Sequence, residues 1–508
     1  MLAQLKALVV VLLLATVIFV LAKPVCLRFT KPEDFARRRA VWYLLTITAF
    51  ISPSFWIYLA IAAPVTGWAA KRDSTPLALF LFFVFVIPPV SKDIPVAGIS
   101  QLFAISNWRL LVFVILIPSI LSRLQSAGRG ERLRPSSMDV LLLLFGALQL
   151  VLLMPYESLT NTMRRGFLFL IDTYLVYFAF SRLLLSRQAL TDAMGALCLS
   201  VCIMALVGVF ESLRGWLLYI GIAEVWGDAN EFAWLLRGES LRAQAAAGHA
   251  IPFGYMIALA IGCWIYLNGL RPATWVSASV FGLLAAGLLV SYSRSAWVMA
   301  ALVPLIFVAL GSGNATNLGK GLIVLAAVGA TIIATPLGST ILENLPFIGT
   351  KEQETVEYRQ QLAEVSWTLI KQNPMFGNPF VLLNMEELRQ GQGIIDLVNG
   401  YAQVALFYGL VGVALFVGVY LAALHKAYLR LRVARASEDK QLLELGACLI
   451  ACMVANLFII GASGHSCLQW VVAALLASYA SLQPDTGPVG AAREPVRSRT
   501  IFRTGSAV

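Results

Sequence analysis

The sequence predicts an all-α, polytopic bundle of transmembrane helices, about fourteen or fifteen spans, with one large periplasmic loop that contains an amphipathic helix. Three observations predict it. Of 508 residues, 59% are hydrophobic and only 13% are charged, whereas a soluble chain carries roughly 25% charged residues. The mean hydropathy is +0.80. The apolar residues also fall in blocks of roughly 15–25, the length that crosses a bilayer as a helix. Together these exclude a cytosolic enzyme, a secreted disulfide scaffold and a nucleic-acid-binding protein. The net charge of +11 then marks cytoplasmic loops, where Lys and Arg collect.

The predicted spans are residues 3–22, 41–69, 76–90, 107–122, 138–155, 166–181, 191–213, 249–267, 274–290, 295–311, 321–336, 397–423, 442–460 and 466–482. No small-residue cleavage site follows the first of these, so it reads as a span and not a signal peptide. Four basic clusters read as cytoplasmic: Lys71-Arg72; Arg123, Arg129, Arg132 and Arg134; Arg182 and Arg187; and Lys426, Arg430, Arg432 and Arg435. The basic stretch from Lys23 to Arg39 belongs on the same face as Lys71. One crossing by 41–69 would separate them. Ile51-Ser52-Pro53-Ser54 interrupts that block, which predicts two helices, or a re-entrant hairpin, returning to the same face. The tail 483–508 is rich in Gly, Pro, Ser and Arg and reads as a disordered cytoplasmic segment.

Three segments come out periplasmic: 91–106, 214–248 and 337–396. The last carries eight acidic and four basic residues. Thr350 can cap a helix that runs to Gln372 and stops before Pro374. Val356, Leu362, Val365, Leu369 and Ile370 share one face of it, with Trp367 near the edge. Such a helix lies along the outer membrane surface or roofs a cavity as a lid. The seven cysteines (Cys26, Cys198, Cys202, Cys263, Cys448, Cys452 and Cys467) sit mostly in apolar helices. Their odd count and the lack of paired Cys/His clusters point to neither a disulfide framework nor a zinc site. No metal and no cofactor is expected. No internal repeat is visible, which argues against a transporter built from inverted halves.

No soluble-enzyme motif occurs: no P-loop, no HExxH, no GxSxG. The informative residues are arginines outside. Arg294 stands in a tight turn, Ser291-Tyr292-Ser293-Arg294-Ser295-Ala296-Trp297, between two apolar spans. Arg242 immediately precedes a span, Arg359 lies on the loop helix, and Arg164-Arg165 are also placed outside. A guanidinium is a planar fork of donors matched to phosphate oxygens and never deprotonates. Arg242, Arg294 and Arg359 converging would bind the diphosphate of a lipid carrier whose tail lies in the bilayer. The alternative for each is an arginine that snorkels to the headgroups and anchors a helix end. Three groups are candidate proton acceptors. His249 opens a span seven residues after Arg242. His465 sits in the outer turn Gly464-His465-Ser466. Glu211 lies near the outer end of a span, where the alternative is an ion pair with Arg214.

At these positions the chain resembles the O-antigen ligase/polymerase superfamily, bacterial inner-membrane enzymes that join lipid-carried glycans. The resemblance covers residues 190–425 and rests on four elements in order. These are Arg242 ahead of Gly248-His249-Ala250-Ile251-Pro252-Phe253-Gly254; the Ser293-Arg294-Ser295-Ala296-Trp297 turn; Tyr358-Arg359 followed by Asn373-Pro374-Met375-Phe376-Gly377; and Asn399-Gly400-Tyr401-Ala402-Gln403 with Gly409 and Gly412. Tyr358, Asn399, Tyr401 and Gln403 would position substrate or loop. Family ligases carry a histidine, as the proposed base, immediately before that asparagine. Here the residue is Val398, which favours a polymerase, of exopolysaccharide or O-antigen type.

The resemblance implies an inverting, metal-independent glycosyltransferase acting on undecaprenyl-diphosphate-linked repeat units. The implied organisation is N-terminal membrane helices over 1–190, a catalytic region over 191–425, and C-terminal helices over 426–482. Membrane lipids, a chain-length regulator and an export complex are the expected partners. A flippase of lipid-linked sugars would share the arginines and the spans, and Asp172 inside a span is a point in its favour. A non-catalytic scaffold of an export complex is the third reading.

Overall fold

The computed structural model describes residues 2–94, 103–126, 136–227, 234–237, 240–270, 274–311, 353–389 and 395–482. The predicted span 321–336, the cap Thr350, the basic residues Arg129, Arg132 and Arg134, and the tail lie outside them.

Helix α1 (Leu2–Cys26) leads into a hairpin of α2 (Pro32–Ile51) and α3 (Phe55–Arg72). The break falls on Ser52-Pro53-Ser54. Pro53 cannot continue a helix, and the Ser54 hydroxyl caps α3 by accepting from Ile57 N. Each arm, at 20 and 18 residues, is about as long as the hydrocarbon core is thick. The hairpin is therefore two near-full-length arms and not a shallow re-entrant loop. Its far ends are joined, with Arg37 donating to the Arg72 carbonyl at 2.7 Å. The two basic stretches thus share one face.

The short α4 (Pro76–Phe83) is followed by an antiparallel ladder of β1 (Ser91–Asp93) and β2 (Ala104–Ser106). Next come α5 (Asn107–Ser126), α6 (Ser137–Leu153), α7 (Leu159–Leu183) and α8 (Arg187–Arg214). A short α9 (Ile220–Val225) and a small ladder, β3 (Leu236–Arg237) with β4 (Ser240–Leu241), precede α10 (Ala250–Leu270), α11 (Thr274–Val290) and α12 (Arg294–Leu310). The loop helix α13 (Gln353–Gln372) precedes α14 (Gly400–Ala436), α15 (Lys440–Ser463) and α16 (Cys467–Ser481). Among the described residues, seven of these helices are long and apolar enough to cross a membrane. They are α1, α5, α7, α8, α10, α14 and α15. The chain is an all-α polytopic bundle.

Lipid is as apolar as leucine, so helices in such a bundle associate through close packing at small residues. Gly262 on α10 faces Cys452 and Val303, and Gly287 on α11 faces Ala205; a Cβ at either would come within 2.8 Å of a neighbouring side chain. Four of the cysteines, Cys198, Cys263, Cys448 and Cys452, fill this core as free thiols.

Charge sits at the ends. At one end Arg38, 4% exposed, donates to both carboxylates of Asp73 and Asp192, at 2.7–2.9 Å. Arg182 pairs with Asp139, Arg187 with Asp439, and Arg435 donates to the Leu310 carbonyl. Members of three of the predicted basic clusters, and of the Lys23–Arg39 stretch, therefore gather at one end. Asp172, which favoured a carrier as a lone acid within a span, is met by Arg109 at 2.6–3.1 Å. The contact joins α5 and α7 beside a π turn in each, Val112–Leu116 and Leu170–Tyr174. A neutralised pair there is a helix contact and needs no transport role.

Candidate active site

The opposite end of the bundle holds the candidate residues, in two neighbouring clusters. The first is built on the turn between α11 and α12. Ser293 N donates to Ser291 Oγ at 3.1 Å, and Trp297 Nε1 donates back to the Leu288 carbonyl at 2.8 Å. Tyr292 takes a φ of +48°, a left-handed conformation that costs a non-glycine residue free energy and recurs at functional sites. Two arginines hold its carbonyls in place. Arg242 Nε donates to Ser291 O at 3.2 Å, and Arg237 Nη1 donates to Tyr292 O at 2.7 Å. The same turn delivers Arg294 as the first residue of α12. Gly254 allows α10 to lie against it, since a Cβ there would fall 2.8 Å from Ala296 Cβ and 2.9 Å from Ser291 Oγ. Arg242, Arg294 and the glycine of the His249 segment are thus one assembly. Arg237 belongs to the same assembly, a residue that the sequence alone does not single out.

His249 sits in the turn before α10, and its Nδ1 accepts from Ile251 N at 3.2 Å. Burial, and then the charge of Arg242, hold its imidazole down to about 4. A neutral ring whose Nδ1 accepts carries its proton on Nε2, so the free nitrogen is a donor. That suits holding an oxygen more than removing a proton.

Glu211 forms no pair with Arg214 among the contacts that hold it. Its Oε1 accepts from Leu218 N at 2.9 Å, and its Oε2 accepts from Gln244 N at 3.2 Å and Ala245 N at 2.8 Å. The side chain is 1% exposed. It fastens both ends of the 215–245 segment, Arg242 included, to the end of α8. Glu211→Gln turns an amide NH₂ toward backbone donors, and a buried donor left without an acceptor costs about 1–3 kcal/mol. The expected result is a lower melting temperature in detergent with faster proteolysis between 215 and 248, and activity falling in parallel. Loss of activity at unchanged stability would instead make Glu211 the base.

The second cluster is organised by a bend in α14. Gly409, with φ +64° and ψ −169°, splits the helix. The arm 400–408 folds back on the arm after it, so that the rings of Tyr401 and Phe416 meet at 6.3 Å. The loop Asn373–Asn378 inserts at the bend and satisfies the backbone that the bend frees. Leu410 N donates to Pro374 O at 2.8 Å, Val411 N to Met375 O at 3.2 Å, and Asn378 N to Leu406 O at 2.8 Å. Gly377 is left-handed as well (φ +64°), and a Cβ on it would sit 2.7 Å from Gly409 N.

Asn399 caps the folded-back arm, its Oδ1 accepting from Tyr401 N at 3.0 Å and Ala402 N at 3.1 Å. Tyr401 Oη donates to the Leu457 carbonyl at 2.8 Å. These two residues thus set the position of the arm, and Gln403 lies on it, half-buried. Helix α13 packs as a lid: Leu362 is buried with Val381, Met385, Leu388 and Leu406, while Trp367 is 63% exposed. Tyr358 Oη accepts from Asp396 N at 3.1 Å. Beneath the lid is a cavity of about 190 Å³ lined by Arg359, Ser366, Val398, Asn399, Ala402 and Gly461, among others. Ser295, next to Arg294, shares a hydrogen bond with Ser463, two residues past Gly461. The two clusters are therefore neighbours.

His465 is enclosed. Its Nε2 and Tyr420 Oη lie 3.0 Å apart, and its ring packs edge-on against Phe416 and Trp470. Burial holds its imidazole down to about 3.

Residues 279–417 match the O-antigen ligase family. The match supports a likeness of that stretch to the O-antigen ligase/polymerase superfamily. No curated protein matches the chain by sequence. The matched stretch contains the Arg294 turn, the lid helix and the whole interlock at Gly377 and Gly409. Arg237, Arg242, His249 and Glu211 lie before it and His465 after it.

Proposed function

We propose that the protein is a polymerase that joins repeat units carried on undecaprenyl diphosphate, working at the periplasmic face of the bacterial inner membrane. The observation that carries this reading is the turn between α11 and α12, where Arg237 and Arg242 fix the carbonyls on either side of the residue that presents Arg294. The acceptor hydroxyl oxygen bonds to the anomeric carbon of the donor sugar as the bond from that carbon to the diphosphate oxygen breaks. The electron pair leaves on the lipid diphosphate, and the hydroxyl proton is released. Arginines aimed at the leaving group stabilise its developing charge in place of a metal ion, which makes the reaction metal-independent. Attack from the face opposite the leaving group inverts the anomeric centre. His249 Nε2–H supplies a further donor beside Arg242. The energy comes from the activated donor bond, so no nucleotide is consumed.

The family's name gives ligation as the second reading. Val398, where ligases carry histidine, favours polymerisation. Protein in lipid nanodiscs, given only lipid-linked oligosaccharides extracted from the source cells, should produce a ladder of longer chains on gels, with EDTA present and no nucleotide sugar. Transfer that appears only when a lipid A–core acceptor is added would identify a ligase. No transfer under either condition would reject glycosyl transfer.

A further inference from the structure

The cavity beneath α13 has a chemistry different from that of the arginine turn. Ser366, 3% exposed, lines it, and its hydroxyl finds no hydrogen-bond partner among the described residues. A buried hydroxyl left unpaired costs free energy, so its position in a cavity wall marks a place for a ligand oxygen. Arg359 lines the same cavity, and Asp396, whose backbone is held by Tyr358, lies close enough to feel its charge. Burial raises the Asp396 carboxyl above its usual range, and Arg359 offsets part of that rise. A cation with a carboxylate nearby is a poorer seat for a dianionic diphosphate. An arginine fork, a serine hydroxyl and the Asn399 amide, all in the cavity wall, are instead donors and acceptors that match vicinal sugar hydroxyls. The rest of the lining, Leu362, Ala363, Val398 and Ala402 among it, offers small apolar contacts to the C–H face of a sugar ring.

Resting on the polymerase reading, we infer that this cavity binds one sugar residue of the acceptor glycan, with Arg359 and Ser366 as hydroxyl ligands, while the lipid diphosphate binds at the Arg242–Arg294 turn. This takes Arg359 out of the diphosphate site in which the sequence grouped it and makes it a specificity residue for the incoming chain. The Ser295–Ser463 hydrogen bond places the two subsites side by side, as transfer between two carriers requires.

The test uses full-length protein in nanodiscs and two probes, undecaprenyl diphosphate without sugar and the extracted lipid-linked oligosaccharides. Ala363 is exposed on α13, so Ala363→Trp can plug the cavity with little risk to the helix. Ser366→Ala is the mild companion. Both should bind undecaprenyl diphosphate within twofold of wild type. Ser366→Ala should weaken binding of the sugar-bearing carrier about three- to tenfold, as expected for one lost hydrogen bond. Ala363→Trp should erase whatever advantage the sugar gives and should stop chain growth. Equal loss of both probes would assign the cavity to the diphosphate and overturn the inference, as would wild-type binding of the sugar-bearing carrier by Ala363→Trp. A wild-type protein that makes no polymer refutes the polymerase reading, yet the binding difference between the two probes still decides whether the cavity recognises sugar.

Discussion

Gly409→Ala should remove most of the folded protein from the membrane, by tenfold or more, while Gly418→Ala on the same helix leaves its amount unchanged. At Gly409 the backbone occupies a region open in practice only to glycine, and forcing another residue there costs about 1–3 kcal/mol. A Cβ would also overlap the Met375 carbonyl. Relief of that overlap pushes out the Asn373–Asn378 loop and breaks hydrogen bonds from Leu410 and Val411, each contributing about 0.5–1.5 kcal/mol. Together these terms, about 2–6 kcal/mol before the steric overlap is counted, reach the lower end of the stability of a typical fold, about 5–15 kcal/mol. At Gly418 the nearest atom to a new Cβ is a Leu141 methyl at 3.6 Å, an ordinary contact, and alanine is the better helix former. Gly377→Ala should behave like Gly409→Ala, because each glycine exists to admit the other's loop. Size-exclusion profiles of a fluorescent fusion in detergent, with protease digestion at residues 373–389, measure both effects. A monodisperse, protease-resistant Gly409→Ala protein would show that the bend tolerates a side chain and that the interlock does not hold the loop.

That interlock separates what the sequence made legible from what it did not. The hairpin break at Ser52-Pro53-Ser54 was readable because its cause is local: a proline and a capping serine. The lid helix was readable because its apolar face and its stop before Pro374 are both short-range signals. The fold-back of α14 was not. From Gly400 to about Leu424 the chain is one apolar run, and nothing local distinguishes a straight span from one reversed at Gly409. The reversal depends on carbonyls of Pro374 and Met375, more than thirty residues upstream. The same holds at Glu211. Sequence offers Arg214 as its nearest cation, whereas the actual partners are backbone N–H groups of Leu218, Gln244 and Ala245 brought in by the loop. His465 reads from sequence only as an outer-turn residue, because the rings that pack on it come from α14 and α16. Asp396 carried no signal, since its bearing on Arg359 exists only once α13 is laid over the arm. The arginines were legible because a guanidinium at that end of the bundle breaks the charge pattern without any fold being known.

Arg294→Ala should reduce transfer by about 10²–10³-fold, the loss that follows removal of one donor aimed at developing charge in a preorganised site, with little change in melting temperature. Arg294→Lys should recover only a small part of it. Arg294 begins α12, and a cation at a helix N-terminus opposes the helix dipole by about 0.3–1 kcal/mol. The helix dipole therefore does not favour a cation there, and the turn's own shape is held by Arg237, Arg242, Ser291 and Trp297. Lysine keeps the charge but offers a mobile point donor in place of a planar fork, so it cannot meet two diphosphate oxygens in a fixed geometry. Arg242→Ala gives the contrast. Its Nε supports the Ser291 carbonyl, so stability and activity should fall together, and Arg242→Lys should restore neither. Chain length on gels from cells carrying each variant, set beside the melting temperature of the purified proteins, reads both quantities. If Arg294→Ala and Arg294→Lys both make polymer of wild-type length and amount, the residue is a helix anchor at the headgroups and the diphosphate must be held elsewhere. If Arg294→Lys alone is fully active, charge suffices and the bidentate argument fails while the site stands.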